Sequence, residues 1–237
     1  MSRSRSMPRH SFEGAESAHC DSGARTTTCL HEERLNAVIN QLLAANARSV
    51  LDLGCGEGDL LIRLAHQPGF ERIVGVDISP EALAHARRSL ELDTYKDDKR
   101  IELMHASFTE ANENLRGFDA GVLLETIEHI DPNRLPLLEH AVFRCCRPLT
   151  VLITTPNQEY NVLYGMPPGA RRHADHRFEW DRRRFKRWAF GIASRNGYEV
   201  RFDDIGPPDQ NLGASTQMAI FRLTEMHRHD QLETICL

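Results

Sequence analysis

Four side chains in this sequence have the types and spacing to hold a divalent metal: Glu125, Glu128 and His129 in LLETIEHI, and His176 in DHRFEW. Residues at i, i+3 and i+4 share one face of a helix. Two carboxylates and an imidazole would therefore converge there, and a distant imidazole would complete a mixed oxygen and nitrogen set. Such donors suit Mg, Mn or Co without selecting among them. A solvated acidic helix start would show the same carboxylates. What favours the metal reading is the segment that precedes them.

That segment, VLDLGCGEGDLL followed by IVGVDIS, reads as strand, glycine loop, helix and a second strand ending in an acid. Gly54, Gly56 and Gly58 permit a tight turn and a close ligand approach. Asp77, 23 residues after Gly54, stands where an acid grips ribose hydroxyls. With Asp52 and Asp77 around the loop, a phosphate-bearing cofactor would be repelled, whereas a cationic sulfonium and an amino group would be attracted. A nucleoside cofactor beside a metal is the expected arrangement.

The elements that must position these groups alternate as in a parallel α/β sheet. An amphipathic helix from Leu30 leads into strands at Ser49 to Leu53, Ile73 to Asp77, Ile101 to His105, Ala120 to Leu124 and Val151 to Thr155. Helices fall between them, one opening at Ser79-Pro80 and one over Leu135 to Cys146. A helix starting near Asp181 and strands near Tyr198 to Asp203 and Gln217 to Leu223 follow. The expected fold is α/β and Rossmann-like: a seven-stranded, mostly parallel sheet with an antiparallel C-terminal edge hairpin and helices on both faces. Residues 1–27 lack periodic apolar positions and read as disordered, 28–224 as the domain, and 225–237 as a frayed tail.

At 237 residues the chain suits one well-buried domain. A formal charge of -5 excludes a global field for nucleic acid, so a basic binding surface must be local. Six scattered cysteines without a CxxC pair fit a reducing interior. No apolar run approaches a membrane span and no secretion signal is visible. The expectation is a cytoplasmic protein that engages neither membrane nor DNA.

The pattern ETIEH, TTPNQEYN, RHADHRFEW on this loop-and-strand frame resembles the small-RNA 3′-terminal 2′-O-methyltransferases. These form the Hua-enhancer family of class I methyltransferases dependent on S-adenosyl-L-methionine (AdoMet). The resemblance runs from about Leu30 to Leu223. It implies that Asp52 and Gly54 hold the methionine end of AdoMet, Asp77 the ribose, and Ser107 and Phe108 the adenine, with Ile78 and Glu125 also among the cofactor-binding residues. It also implies that Glu125, Glu128, His129 and His176 are the metal ligands and catalytic set. The implied reaction methylates the 2′-hydroxyl of a 3′-terminal nucleotide, on RNA with a free 2′,3′ diol that chelates the metal. A protein partner in small-RNA silencing or RNA repair is implied as well. Relatives carry further domains where this chain has a short polar N-terminus, so the resemblance does not choose between duplex small RNA, single-stranded guide RNA and a broken tRNA end.

His173, three residues before His176, competes for the ligand role. It is assigned to the surface or to RNA, because the family segment keeps the histidine preceding (K/R)FEW. Eight basic residues between Arg171 and Arg187, interleaved with Phe178, Trp180, Phe185 and Trp188, supply the local basic surface. The arginines are read as RNA contacts, and Phe185 and Trp188 as core. Loop 164–169 could close over a substrate end, and Thr155 to Asn157 could position one. The rival readings are a metal-independent class I methyltransferase acting on a small molecule, a non-catalytic RNA-binding adaptor, and a metal hydrolase that leaves the glycine loop unexplained.

Overall fold

The computed structural model describes residues 29–92 and 98–226. The expectations for residues 1–27 and for the tail beyond 226 lie outside the described residues. The elements in order are α1 (Cys29–Ala44), β1 (Ser49–Leu53), α2 (Asp59–Ala65), β2 (Arg72–Asp77), α3 (Pro80–Ser89), β3 (Ile101–His105) and β4 (Ala120–Leu123). They continue with α4 (Leu135–Glu139), β5 (Thr150–Pro156), α5 (Arg182–Asn196), β6 (Tyr198–Ile205) and β7 (Thr216–Leu223). The α4 helix continues as a π-helix over His140–Cys146.

The strands form one seven-stranded sheet in the order β3-β2-β1-β4-β5-β7-β6. The first five are parallel, and β7 runs antiparallel between β5 and β6. The expected C-terminal hairpin is present with β6 on the edge and β7 inside. Alternating strand residues feed two cores. Leu51, Leu53, Val151 and Ile153 face α4, its π-helical extension and α5, whereas Val50, Ile73, Val122 and Leu152 face α1, α2 and α3. Burying side chains on both faces is what a parallel sheet requires, and it fixes the register of every strand end.

Strand order reverses between β1 and β4, so a crevice opens beyond their carboxyl ends. Gly54 follows β1 and Glu125 follows β4, which brings the two sequence motifs to one place. Ser79 caps α3 by accepting the Ala82 amide at 3.1 Å, and Asp181 caps α5 by accepting the Arg184 amide at 2.6 Å. No helix among the described residues is long and apolar enough to cross a membrane.

Candidate active site

The crevice contains a cavity of about 490 Å³. Gly54, Asp77, Ile78, Ser107, Phe108 and Glu125 line it, which are six of the seven residues expected to hold the cofactor. At Gly54 (φ 89°) a Cβ would stand 2.6 Å from the Thr126 Cγ2 methyl, so only glycine lets the loop pass. At Gly56 (φ 52°) a Cβ would meet nothing within 4 Å, leaving the bare backbone open to a ligand. The Gly56 and Ser79 amides donate to the two Asp77 carboxylate oxygens, each at 2.8 Å.

Asp52, the seventh residue, does not line the cavity. It is 2% exposed, and its Oδ2 has no hydrogen-bond partner among the described residues. Burial, reinforced by the charges of Asp77 and Asp59, raises its pKa to about 7. A cationic ligand nearby would favour its ionised form.

The acidic motif departs from the single helical face expected for it. Glu125 takes a left-handed backbone (φ 49°), its amide donating to Thr154 Oγ1 at 2.9 Å, and only Ile127–His129 forms a helical turn, of the 3-10 type. Glu128, His129 and His176 nonetheless converge, with one ligand atom from each lying within 4.8 Å of the others. Glu128 is fully buried. Its Oε2 accepts the Thr155 hydroxyl at 2.9 Å, and its Oε1 finds no partner among the described residues. Burial and then the neighbouring Glu125 push its pKa well above the carboxylate range. Burial, followed by His176 and His173, lowers the pKa of His129. A buried orphan oxygen beside two imidazoles is a donor set that fits a divalent cation, which would displace the Glu128 proton.

Glu125, the fourth expected ligand, is not part of that group. Its Oε2 pairs with Arg34 Nη2 at 2.9 Å, while its Oε1 is buried without a partner among the described residues. The partly buried Glu125 and the fully buried Glu128 repel, and the buried Arg34 of α1, anchored by Thr216 Oγ1 at 2.9 Å, relieves the first of them. His173 is exposed, with its ring centroid 6.2 Å from that of His129, and it stays outside the converging group.

His176 is aimed by a network. Its Nδ1 lies 2.7 Å from Glu179 Oε1, leaving Nε2 for a ligand role. Glu179 is buried and also accepts Asn161 Nδ2 and the Arg172 amide, both at 2.6 Å. Burial works to raise the Glu179 pKa, but the hydrogen bonds from His176, Asn161 and Arg172 prevail and lower it. Arg172 in turn reaches Asn161 Oδ1, Ser215 Oγ and the Asn157 carbonyl. The Glu128 carbonyl accepts the Arg177 amide at 2.7 Å, so the two metal segments are joined directly.

A family model described as "Methyltransferase domain" matches residues 50–149. The crystal structure of the methyltransferase domain of bacterial CtHen1 is 42% identical with a TM-score of 0.75, over 82% of this chain and 100% of that one. The chain belongs to the small-RNA 2′-O-methyltransferase family. Its fold is that of the class I methyltransferases in this family. The structure of small RNA methyltransferase HEN1 is 31% identical with a TM-score of 0.75, over 85% of this chain and 27% of that one. The Mus musculus small RNA 2′-O-methyltransferase is 35% identical over 81% of this chain. The chain spans about half the length of the first curated relatives it matches, 50% in the mouse case.

Several residues that support the candidate site carried no strong sequence signal. Arg34, Thr154, Asn161 and Arg172 act across long sequence separations, and only their place in the fold reveals them. Glu179 lay within the quoted FEW segment, three residues after His176. Asn157 is a bracket, its Nδ2 donating to the Leu212 and Ala214 carbonyls. Part of the basic segment is tied to the fold, although six of its eight basic residues stay exposed. Arg171 donates to the His176 carbonyl, Arg182 pairs with Glu159, and Arg184 and Lys186 lie over the rings of Trp180 and Phe202. Phe185 is fully buried and Trp188 packs against the core, as expected for both.

Proposed function

We propose that this chain transfers the methyl group of AdoMet to the 2′-hydroxyl of the 3′-terminal nucleotide of an RNA. A divalent cation held by Glu128, His129 and His176, with Glu125 alongside, would engage the terminal 2′,3′ diol. The observation that carries this reading is the convergence of three metal-type donors beside the glycine-loop cavity, with His129 belonging to both. Membership of a family whose relatives are named for small-RNA 2′-O-methylation supports it.

When bound, the cation would orient the diol and lower the 2′-hydroxyl pKa, which readies that oxygen for in-line attack on a sulfonium methyl. The chain's own residues prepare the rest. Asp77, held by two backbone amides, keeps lone pairs for ribose hydroxyls, and Gly56 leaves room for the ligand backbone. Thr155 and Glu179 fix the orientations of Glu128 and His176. An internal nucleotide lacks the free 3′-hydroxyl, so this site favours an RNA end.

The test is transfer of labelled methyl from AdoMet to a short RNA with a free 2′,3′ diol, beside a 2′-deoxy-ended control. It is run in EDTA and then with Mg, Mn or Co restored. Labelling that requires both the metal and the terminal 2′-hydroxyl is expected. Labelling that persists in EDTA or on the 2′-deoxy end would refute the metal-chelate role, and absence of labelling by a protein that still binds AdoMet would favour the metal-independent small-molecule class.

A further inference from the structure

The cavity that holds the glycine loop is also lined by Arg134 and Arg177, two guanidinium groups where the cofactor offers a single carboxylate. They come from unrelated parts of the chain. Arg134 ends the turn before α4, and its Nη2 donates to Thr109 Oγ1 at 3.1 Å, Thr109 being itself a lining residue. Arg177 follows His176 and is fastened by its backbone amide to the Glu128 carbonyl, so its side chain starts beside the metal-type cluster.

Of the basic residues between Arg171 and Arg187, Arg177 alone lines the cavity. Arg172 and Arg182 are partly buried and bonded into the fold, and the exposed Arg171, Arg183, Arg184, Lys186 and Arg187 are absent from the cavity lining. The Arg177 guanidinium is exposed and has no ion pair among the described residues.

We propose that Arg177, assisted by Arg134, binds the internucleotide phosphate immediately 5′ of the terminal ribose. This rests on the RNA reading above and deepens it. An RNA whose terminal diol sits at Glu128, His129 and His176 carries its nearest anion one ribose away, within reach of the side chain that follows His176. Guanidinium groups fit phosphate oxygens bidentately. The pair would select the final nucleotide of a chain over a free nucleoside, because a nucleoside offers the diol without the phosphate.

The experiment compares two oligoribonucleotides that differ only at the last linkage, one a phosphodiester and one an uncharged methylphosphonate, with the wild type, R177A, R177K and R134A. Binding is read by fluorescence anisotropy, and turnover by KM and kcat with labelled AdoMet. Removing the phosphate should weaken wild-type binding and raise KM about tenfold, the size expected for one charged phosphate contact. R177A should show the same loss on the natural RNA and no further loss on the methylphosphonate, while R177K recovers part of it. AdoMet affinity in each variant reports whether the cavity is intact. Additive losses from R177A and the methylphosphonate, or a wild type indifferent to the linkage, would overturn the proposal. A wild type that distinguishes the two RNAs in binding yet transfers no methyl would overturn the reaction assigned above and leave the phosphate contact standing.

Discussion

Glu179→Gln tests how the metal-type site is held together, because the side chain keeps its shape while losing one acceptor and the charge. Glu179 Oε1 takes His176 Nδ1 and the Arg172 amide, and Oε2 takes Asn161 Nδ2, all at 2.6–2.7 Å. A glutamine must present an NH2 to one of these donors. If it faces His176 and Arg172, two bonds are lost. If it faces Asn161, that amide must flip, and the flip removes the Oδ1 acceptor that Arg172 Nε uses at 2.7 Å. The network therefore loses at least one charge-assisted bond in either orientation. Outer ligands of this kind are worth about 10–100-fold in metal affinity, or roughly 1.4–2.7 kcal/mol. Titration calorimetry with Mn, or the absorption spectrum of bound Co, should show that weakening while circular dichroism reports a folded protein. A folded E179Q that binds metal within about twofold of the wild type would refute the claim that Glu179 orients His176.

Three further outcomes follow from the same geometry. Because the folded pKa of Asp52 is raised to about 7, its contribution to stability is complete below the ordinary range near 3.8 and is lost as pH rises through about 7; D52N should flatten that part of the melting-temperature profile, and an unchanged profile would count against it. G54A should lower both thermal stability and AdoMet affinity, since its Cβ would press on Thr126, whereas G56A should cost only about 1 kcal/mol of folding and mainly weaken AdoMet binding, as measured by melting and calorimetry. R34M leaves the partly buried Glu125 without its cation, which should cost about 3 kcal/mol, the low end for a buried pair, and lower the melting temperature by roughly 6–12 °C; a melt within 2 °C of wild type, which is roughly 1 kcal/mol at most, would exclude a stabilising role for the pair.

Much of the frame was legible because it rests on local patterns. The β1 and β3 spans match the sequence reading, and the remaining strands differ from it by one or two residues at their ends. The reason is that buried parallel strands are short apolar runs bounded by turn residues. The cavity residues Gly54, Asp77, Ile78, Ser107 and Phe108 were legible for a related reason, since strand ends fix where they point. The ExxEH spacing was misread as one helical face. Its i, i+3, i+4 pattern carries no mark of the left-handed Glu125 that separates strand from turn. Arg34 is paired with a residue 91 positions away, and an amphipathic helix gives no sign that one of its arginines is buried beside a carboxylate. In the basic segment, composition counts charges without revealing which are held inside the fold, as Arg172 and Arg182 are, and which stay exposed.

The placement of β7 between β5 and β6 has a consequence for biosynthesis. Thr216 receives Arg34, Ser215 receives Arg172, and the Gln217 amide donates to the Trp180 carbonyl, so three supports of the site come from the start of the last strand. A ribosome will have delivered the glycine loop, both acids and both histidines of the site before these contacts can form. A nascent chain halted ahead of residue 215 would carry every ligand and still lack the groups that orient them. Competence should therefore arrive in one late step, when the antiparallel strand slots into the sheet.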